Sequence, residues 1–581
     1  MNTRWGTCLG LGWVMQVCMA GPGCSLEHWN PRDLFLESLV QQVPNILAGQ
    51  DEQGRFGTEP WICQDQNLIF PLAAAWSFQD ENNPLYRDEK LLDAIVAGGD
   101  VLIREADEKG MWTFRKKDHS TWGQIFMPWT YSRWIRAFFM IRDFMPEGKR
   151  EAWEQALSKG YEGISRTCLG TVHNIPAHHA MGLYFAGMAL EREDWRIQAR
   201  DFMRRVMAVQ HTDGYWSEHH GPVVAYNFVY TDSLGTYFSV SQDPEALEAL
   251  RKAALFHASF TYPDGSSVET IDERNPYSRS ISLGNVGFTH TPEGRGYLLR
   301  QLELHQAQGG TLSADFCASM LLYGQQGTAI QPPGAKERSR LVLGEGDALV
   351  LRQAPWFLCL STFTCEPPSS RWIQDRQNYL SLYHDDLGMF LGGGNTKLQP
   401  LWSTFTKGDV ALLRHEPGDE NPEFFPAIDL IWCAQEARIE EQGDSYGLVL
   451  KYGEVSCRAA LRFEDEKRAS LSLSSGKKPG VRVEAHLPFM RGLGSVQSWS
   501  GDQAELEETS FEWNSEQAGG GFRYGKLSVS MPEGTRLCWP VLPHNPYKKD
   551  GASDHRSGRL VLAVPLSEKE ENQVVVSLTV E

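Results

Sequence analysis

An acid, a glycine and an aromatic recur along the first half of the chain, and that recurrence limits what the chain can fold into. Asp51-Glu-Gln-Gly54-Arg-Phe56, Asp107-Glu-Lys-Gly110-Met-Trp112, Asp213-Gly214-Tyr215-Trp216 and Asp264-Gly265 share a glycine turn beside an acid. The acids are spaced by 56, 106 and 51 residues, the middle interval being close to twice 53. Roughly 53 residues is room for two helices and their loops. The turn therefore marks one helical hairpin, with one copy lost near Gly160. Equivalent loops of stacked hairpins fall on one rim of a ring or superhelix. Apolar residues at three- and four-residue spacing over Asp33–Leu47, Lys90–Glu105, Ser132–Phe144, Ala177–Leu190 and Asp194–Val209 supply the helices. Residues 25–324 are thus expected to form an (α/α) toroid, with Phe56, Trp61, Trp112 and Trp216 on one rim.

The pattern changes after Gly324. Residues 325–340 read as a Gly/Pro/charge linker. Beyond it lie short β-branched or aromatic runs, among them Ala348–Arg352, Trp356–Thr362, Tyr379–Tyr383, Ser470–Ser474 and Gln573–Val580. Residues 341–581 are expected to form an antiparallel β-sandwich, which makes the chain an α+β multidomain protein. Its 581 residues exceed one ordinary core. The motifs for a phosphate loop, HExxH or zinc-ligand spacing do not occur, and no cofactor is expected.

Residues 1–24 have the character of an export signal: Arg4 is the only charge, and an apolar run leads to Ala20-Gly21 and Gly23. That places the protein in the periplasm or outside the cell, with Cys24 a weak candidate for a lipid anchor. The segment is too short and Gly-broken for a membrane span. Eight cysteines follow Cys24 without metal spacing, and nothing in their pattern demands disulfides. The net charge of −19 argues against a nucleic-acid partner. An anionic ligand remains compatible with it, because a cleft can be locally basic on an acidic body.

The densest chemistry lies between His211 and Asp232. An Asp-Gly turn opens a loop holding Glu218, His219 and His220, and a helix beginning near Tyr226 carries Tyr226 and Tyr230 on one face. Tyrosine and histidine beside a carboxylate suit proton transfer on a sugar ring. Nineteen tryptophans suit sugar stacking equally with filling a large helical core.

Toroid, β domain and export signal together resemble polysaccharide lyases of the heparinase II/III, alginate lyase and hyaluronate/chondroitin lyase type. Three passages carry the resemblance. In His173-Asn174-Ile-Pro-Ala-His178-His179-Ala-Met-Gly182, His179 stands where heparinase-like enzymes carry the His of an Asn-His pair. There His178 replaces the Asn, with Asn174 close by. The stretch from Asp213 to Tyr230 resembles their Asp-Gly, acid and helical tyrosine. Its His220, Tyr226 and Tyr230 approximate the His and Tyr-x-x-x-Tyr of the hyaluronate lyase branch. Asp272-Glu-Arg274-Asn-Pro-Tyr-Ser-Arg279 resembles an arginine-bearing loop near the substrate carboxylate. In one respect the sequence departs: the β-domain histidine expected before strand Tyr379–Tyr383 is missing, leaving Arg376 or Gln374 to replace it, with His384 just past the strand.

The resemblance implies β-elimination on an anionic, uronic-acid-containing polysaccharide. Asn174 and Arg274 or Arg279 would neutralise the carboxylate, Tyr230 or Tyr226 would carry the proton unless His179 acts as base instead, and His220 completes the catalytic candidates. Tyr230 is favoured by the hyaluronate lyase spacing, while heparinase-like spacing leaves Tyr226 open. His178, Glu218, His219, Trp112, Trp216 and Arg376 are the further substrate-binding candidates. A glycoside hydrolase using Asp213, Glu218 or Asp232 is one alternative. A glycan-binding relative without activity is the other. Oligomeric state is not legible.

Overall fold

The computed structural model describes residues 27–413, 418–476, 480–566 and 573–581. The export signal read over residues 1–24 and the anchor read at Cys24 lie outside them. Among the described residues no helix is long and apolar enough to cross a membrane, and the eight cysteines are unpaired.

The first half is built from α1 (Arg32–Ala48), α2 (Ile69–Ser77), α3 (Glu89–Glu105), α4 (Pro128–Ile141), α5 (Glu147–Thr167), α6 (Asn174–Ala189), α7 (Glu193–Ala208), α8 (Val224–Ser241), α9 (Pro244–Ser259), α10 (Pro292–Ala307) and α11 (Ala314–Tyr323). Helices α2, α4, α6 and α8 pack side by side as an inner ring. The 3-10 segment Val286–His290 and α11 close it back onto α2. Sequence decides which helices are inner. Helix α2 is buried without a break from Ile69 to Trp76, and α6 from Ala177 to Gly187. Outer α7 buries only Trp195, Ala199, Phe202, Met203 and Val206, the stripe of an amphipathic helix.

The repeated turn follows outer helices α1, α3, α7 and α9. Gly54 N–H donates to Asp51 O, Gly110 to Asp107 O, Gly214 to His211 O and Gly265 to Tyr262 O, at 2.9–3.0 Å. In the first two copies the acid opens the turn; in the last two it directly precedes the glycine instead. The missing copy falls just past Gly160, which itself lies inside α5 against the Tyr131 ring. That helix runs on to Thr167, and its exit carries no glycine at positive φ.

The turn glycines also let the rim touch the next outer helix. Gln50 Nε2 reaches Ala94 O on α3 and Gln210 Nε2 reaches Ala249 O on α9, both at 2.9 Å. A Cβ on Gly214, whose φ is +95°, would stand 2.1 Å from Lys252 O. Gly214→Ala should therefore cost about 2–4 kcal/mol, from left-handed strain plus overlap with backbone that cannot give. Gly123→Ala, at φ +92° with nothing within 4 Å, should cost only the strain, about 1 kcal/mol. Equal denaturant midpoints for the two variants would remove the close-approach argument.

Two antiparallel sheets, of eleven and nine strands, make the second half. The larger sheet's central strands Trp356–Ser361 and Val483–Phe489 are buried on both faces. Strands of the nine-stranded sheet alternate as a half-buried sheet should: Arg468–Ser475 buries Ala469, Leu471 and Leu473, and Gln573–Val580 buries Val574, Val576, Leu578 and Val580. These side chains meet those of the other sheet in one core, giving a sandwich. The expected linker 325–340 is more ordered than a linker. Gly327–Ala329 pairs with Glu27–Trp29 near the start of the described chain, and the large sheet begins at Arg338.

A separate apolar cluster joins the halves: Tyr215, Phe256, Phe260, Tyr262 and Ile271 meet Val350, Phe357, Tyr383 and Met389. At its edge the Tyr262 hydroxyl reaches Glu269 Oε2 and Ser381 Oγ, each at 3.0 Å. The turn-bearing rim of the toroid is thereby fixed against the sandwich.

Candidate active site

Rim loops and the start of α8 converge on Tyr226, Tyr230 and Glu218. The loop 217–222 is closed by a bridge between Ser217 and Pro222 and hangs on one buried carboxylate. Glu273 Oε1 lies 2.8 Å from His219 Nδ1, and Glu273 Oε2 accepts from His220 N at 2.7 Å. From the β domain, buried Arg376 brings Nη2 to 3.9 Å from Glu273 and donates Nη1 to Ile271 O at 2.8 Å. Asp272 accepts from Val224 N, Arg274 N and Asn275 N at 2.7–2.8 Å, fixing the start of α8 against the arginine loop.

Glu218 accepts from the Tyr230 hydroxyl at 3.4 Å and lies 3.9 Å from His173 Nδ1. That contact brings the start of α6 beside the loop. Asn174 is the first residue of α6 and largely buried, and its side-chain amide has no hydrogen-bond partner among the described residues. Burial raises Glu218 to about 7, with the Tyr230 hydroxyl and His219 pulling the other way. Because the folded value is raised, this carboxyl destabilises the fold as pH climbs. Between about 4.5 and 7 the unfolded chain has released a proton that the folded chain still holds. Wild type should therefore lose on the order of 3 kcal/mol across that window relative to Glu218→Gln. Unfolding curves of the two proteins that run parallel from pH 4 to 8 would contradict the assignment.

The two tyrosines differ. Tyr230 is 1% exposed and stacked on Trp216 at 4.8 Å between centroids. Burial and the Glu218 carboxyl push its hydroxyl far above the usual range. Tyr226 is partly exposed, with the Arg274 guanidinium 5.4 Å from its ring. Burial raises its hydroxyl and Arg274 offsets part of that rise.

Beyond Arg274 a cleft of about 410 Å³ opens between the rim and the sandwich. Arg274, Arg556 and Arg559 line it, with Gln374, Asn395, His544 and Tyr547, and not one aspartate or glutamate. An aromatic arch stands beside it. The hairpin Trp112–Arg115/Thr121–Ile125 carries Trp122 to 5.0 Å from Trp372, which lies 5.8 Å from Tyr547 and 5.8 Å from the Arg274 guanidinium. Lys116 Nζ sits 4.9 Å from the Tyr547 ring.

Several expected residues fall elsewhere. The rings of Trp112 and Trp216 are buried, so they offer no face to a sugar. Each Nε1 donates to the carbonyl ten residues upstream, Leu102 O at 3.2 Å and Val206 O at 2.8 Å. The turn folds these aromatics back under its own helix end. His179 is buried in α6, its Nδ1 is without a partner, and burial lowers it to about 3. His178 bonds Ser132 Oγ at 2.8 Å and faces the ring axis instead of the loop. Arg279 lies by Gly492 of the β domain, apart from Arg274. Arg376 is committed to Glu273, and His384 is buried in the sandwich with Nε2 on Glu466 O. His220 is exposed on the loop.

Sequence reading missed Trp122, Trp372, Tyr547 and His544. The last supplies the cleft with a β-domain histidine from a segment far from the strand where one was sought. Its only sequence signal was the turn-rich His544-Asn-Pro-Tyr547.

No protein-family model matches the chain, and neither does any curated protein sequence. Among solved structures the fold is similar to a heparinase III, at 13% identity over 95% of this chain and 84% of that one, TM-score 0.48. It is similar to the chondroitin AC lyase of Streptomyces coelicolor in complex with chondroitin sulphate, at 12% identity over 95% and 80%, TM-score 0.49. It is also similar to a mutant heparan sulfate lyase from Pedobacter heparinus, at 11% identity over 94% and 82%, TM-score 0.49.

Proposed function

We propose that the chain is an exported lyase that cleaves a uronic-acid-containing polysaccharide by β-elimination. The observation that carries this reading is the composition of the interdomain cleft. A protein of net charge −19 assembles three arginines and a histidine there; Arg556 is held by Asp554 at 2.6 Å, while no described carboxylate lines the cleft beside Arg274 and Arg559. Such a lining attracts an anionic ligand against the field of the whole body.

Elimination requires the proton on C5 of the uronate, which is acidic only when the adjacent carboxylate is neutralised. Arg274 is the group for that task, in two-point contact with the carboxylate, and Asn174 adds a neutral donor. Tyr226, beside Arg274 and open to solvent, takes the C5 proton as phenolate and returns one to the leaving oxygen on C4. Tyr230 holds Glu218 from below and positions the loop. Trp122, Trp372 and Tyr547 take the stacking role first read into Trp112 and Trp216. His544 and Gln374, whose Oε1 has no partner, contact the substrate from the β domain. The paired-carboxylate alternative fits less well, since Asp213 is occupied by the Gly344 amide at 2.7 Å.

The test is a panel of uronic-acid polymers followed by absorbance at the ultraviolet edge. An unsaturated product is expected, with affinity falling as salt rises. New reducing ends without the chromophore would assign hydrolysis. Binding with neither product would leave a glycan-binding protein.

A further inference from the structure

A second cavity, of about 240 Å³, lies on the axis of the helical ring. Arg133 and Arg136 from α4, Asp232 and Phe228 from α8, and Asp315 from α11 line it, with Trp129 at its mouth. It adjoins the interdomain cleft through shared walls. Asn275, Pro276 and Tyr277 line both that cleft and an adjoining hollow of about 450 Å³, and Phe228 lines both the hollow and the axial cavity. None of these axial groups enters the elimination chemistry above.

The charges in the cavity cancel. Arg133 and Asp315 form a two-point pair, Nε to Oδ1 at 2.6 Å and Nη2 to Oδ2 at 2.7 Å. That leaves Arg136 and Asp232. Arg136 is 2% exposed, gives Nε to Ser132 O at 2.9 Å and lies over the Phe70 ring at 4.1 Å. Asp232 makes no hydrogen bond; its nearest partner is His178 Nδ1 at 3.9 Å. Burial holds His178 well below its ordinary value, so that ring is neutral. A charged ligand would find no unspent countercharge here and would be desolvated at a loss. Hydroxyl groups suit the site, because they donate to a carboxylate and accept from a guanidinium. Trp129 and Phe228 supply apolar walls for the C–H faces of a ring. The volume falls below the ~300 Å³ at which pockets for drug-sized ligands begin, so it suits one ring rather than several.

We propose that the axial cavity is a binding site for one uncharged pyranose, a hexose or N-acetylhexosamine, held by Asp232 and Arg136. Identifying that ring as the neutral sugar of the polymer rests on the lyase reading; the binding itself does not.

The test is calorimetric titration of the full chain with glucose, galactose, N-acetylglucosamine, N-acetylgalactosamine and glucuronate. At least one neutral sugar should saturate in the ~millimolar range expected of so small a ligand, more tightly than glucuronate. Asp232→Asn should weaken it at least tenfold. Ser319→Phe, which fills the cavity from α11, should abolish it, with thermal midpoints checking that both variants fold. Failure of every neutral sugar to saturate, tighter binding of glucuronate, or wild-type affinity in both variants would each overturn the proposal. An ultraviolet-silent protein that still binds a neutral sugar through Asp232 would lose the lyase reading and keep the site. A protein that yields the chromophore but binds no neutral sugar would do the reverse.

Discussion

Tyr226→Phe should lower turnover by roughly a hundred- to ten-thousand-fold, the usual contribution of a positioned acid–base group. Stability should scarcely change, because the Tyr226 hydroxyl makes no hydrogen bond among the described residues. Tyr230→Phe is the contrast: it deletes a 3.4 Å contact to Glu218 in a buried stack, and should leave turnover within about tenfold. Arg274 supplies a second readout. Its cation stabilises the phenolate of Tyr226, so Arg274→Gln should move the ascending limb of kcat/KM, where the phenolate forms, to higher pH as well as weaken substrate binding. Full turnover in Tyr226→Phe together with collapse in Tyr230→Phe would return the proton to the inner tyrosine. An unmoved limb in Arg274→Gln would reduce that residue to a substrate contact.

Preference between the tyrosines shows where sequence reading reaches its limit. Both residues are legible as neighbours on one helical face, because a spacing of four is a local property. Which one meets solvent depends on Trp216, ten residues before Tyr226 and fourteen before Tyr230 and folded back beneath α7, and pattern does not carry that. The toroid was legible for a related reason: each glycine turn is a local device whose recurrence implies a ring. The exit that replaces the missing copy was not, since α5 ends without a glycine at positive φ. Alternation gave the sandwich from strands such as Gln573–Val580. The cleft was hidden because it is assembled from distant segments: Arg274 from a rim loop, Trp122 from a hairpin, and His544, Tyr547 and Arg556 from a turn-rich excursion late in the β domain. Trp112 and Trp216 misled because the same indole that suits a sugar face also suits a helix end, and only the repeated Nε1 bond distinguishes the two uses.

Glu273→Ala should be the most damaging single change for stability, at about 3–5 kcal/mol, the loss typical of removing one partner from a buried ion pair. Glu273 is 2% exposed, and its carboxylate meets two segments that are far apart in sequence, the loop at 219–220 and Arg376. It holds the His219 ring at 2.8 Å and the His220 amide at 2.7 Å, and faces the Arg376 guanidinium at 3.9 Å. Backbone bonds reinforce the same junction, Glu273 N to Pro222 O at 3.2 Å and Gln374 N to Glu273 O at 3.3 Å. Without the carboxylate, Arg376 keeps the Ile271 and His220 carbonyls and only the more distant charge of Asp272, in a site where Gly221 leaves it room to lie against the loop. The loop 217–222 would then loosen and take Glu218 with it, so turnover should fall alongside stability. Glu273→Gln keeps an acceptor and the shape, and should cost less. Adding Arg376→Met to Glu273→Gln should recover part of the loss, since two apolar-compatible partners no longer strand a charge; a double-mutant cycle measures that coupling directly. Strict additivity in the cycle, or an unchanged denaturant midpoint for Glu273→Ala, would show that the junction is held by packing and backbone bonds alone.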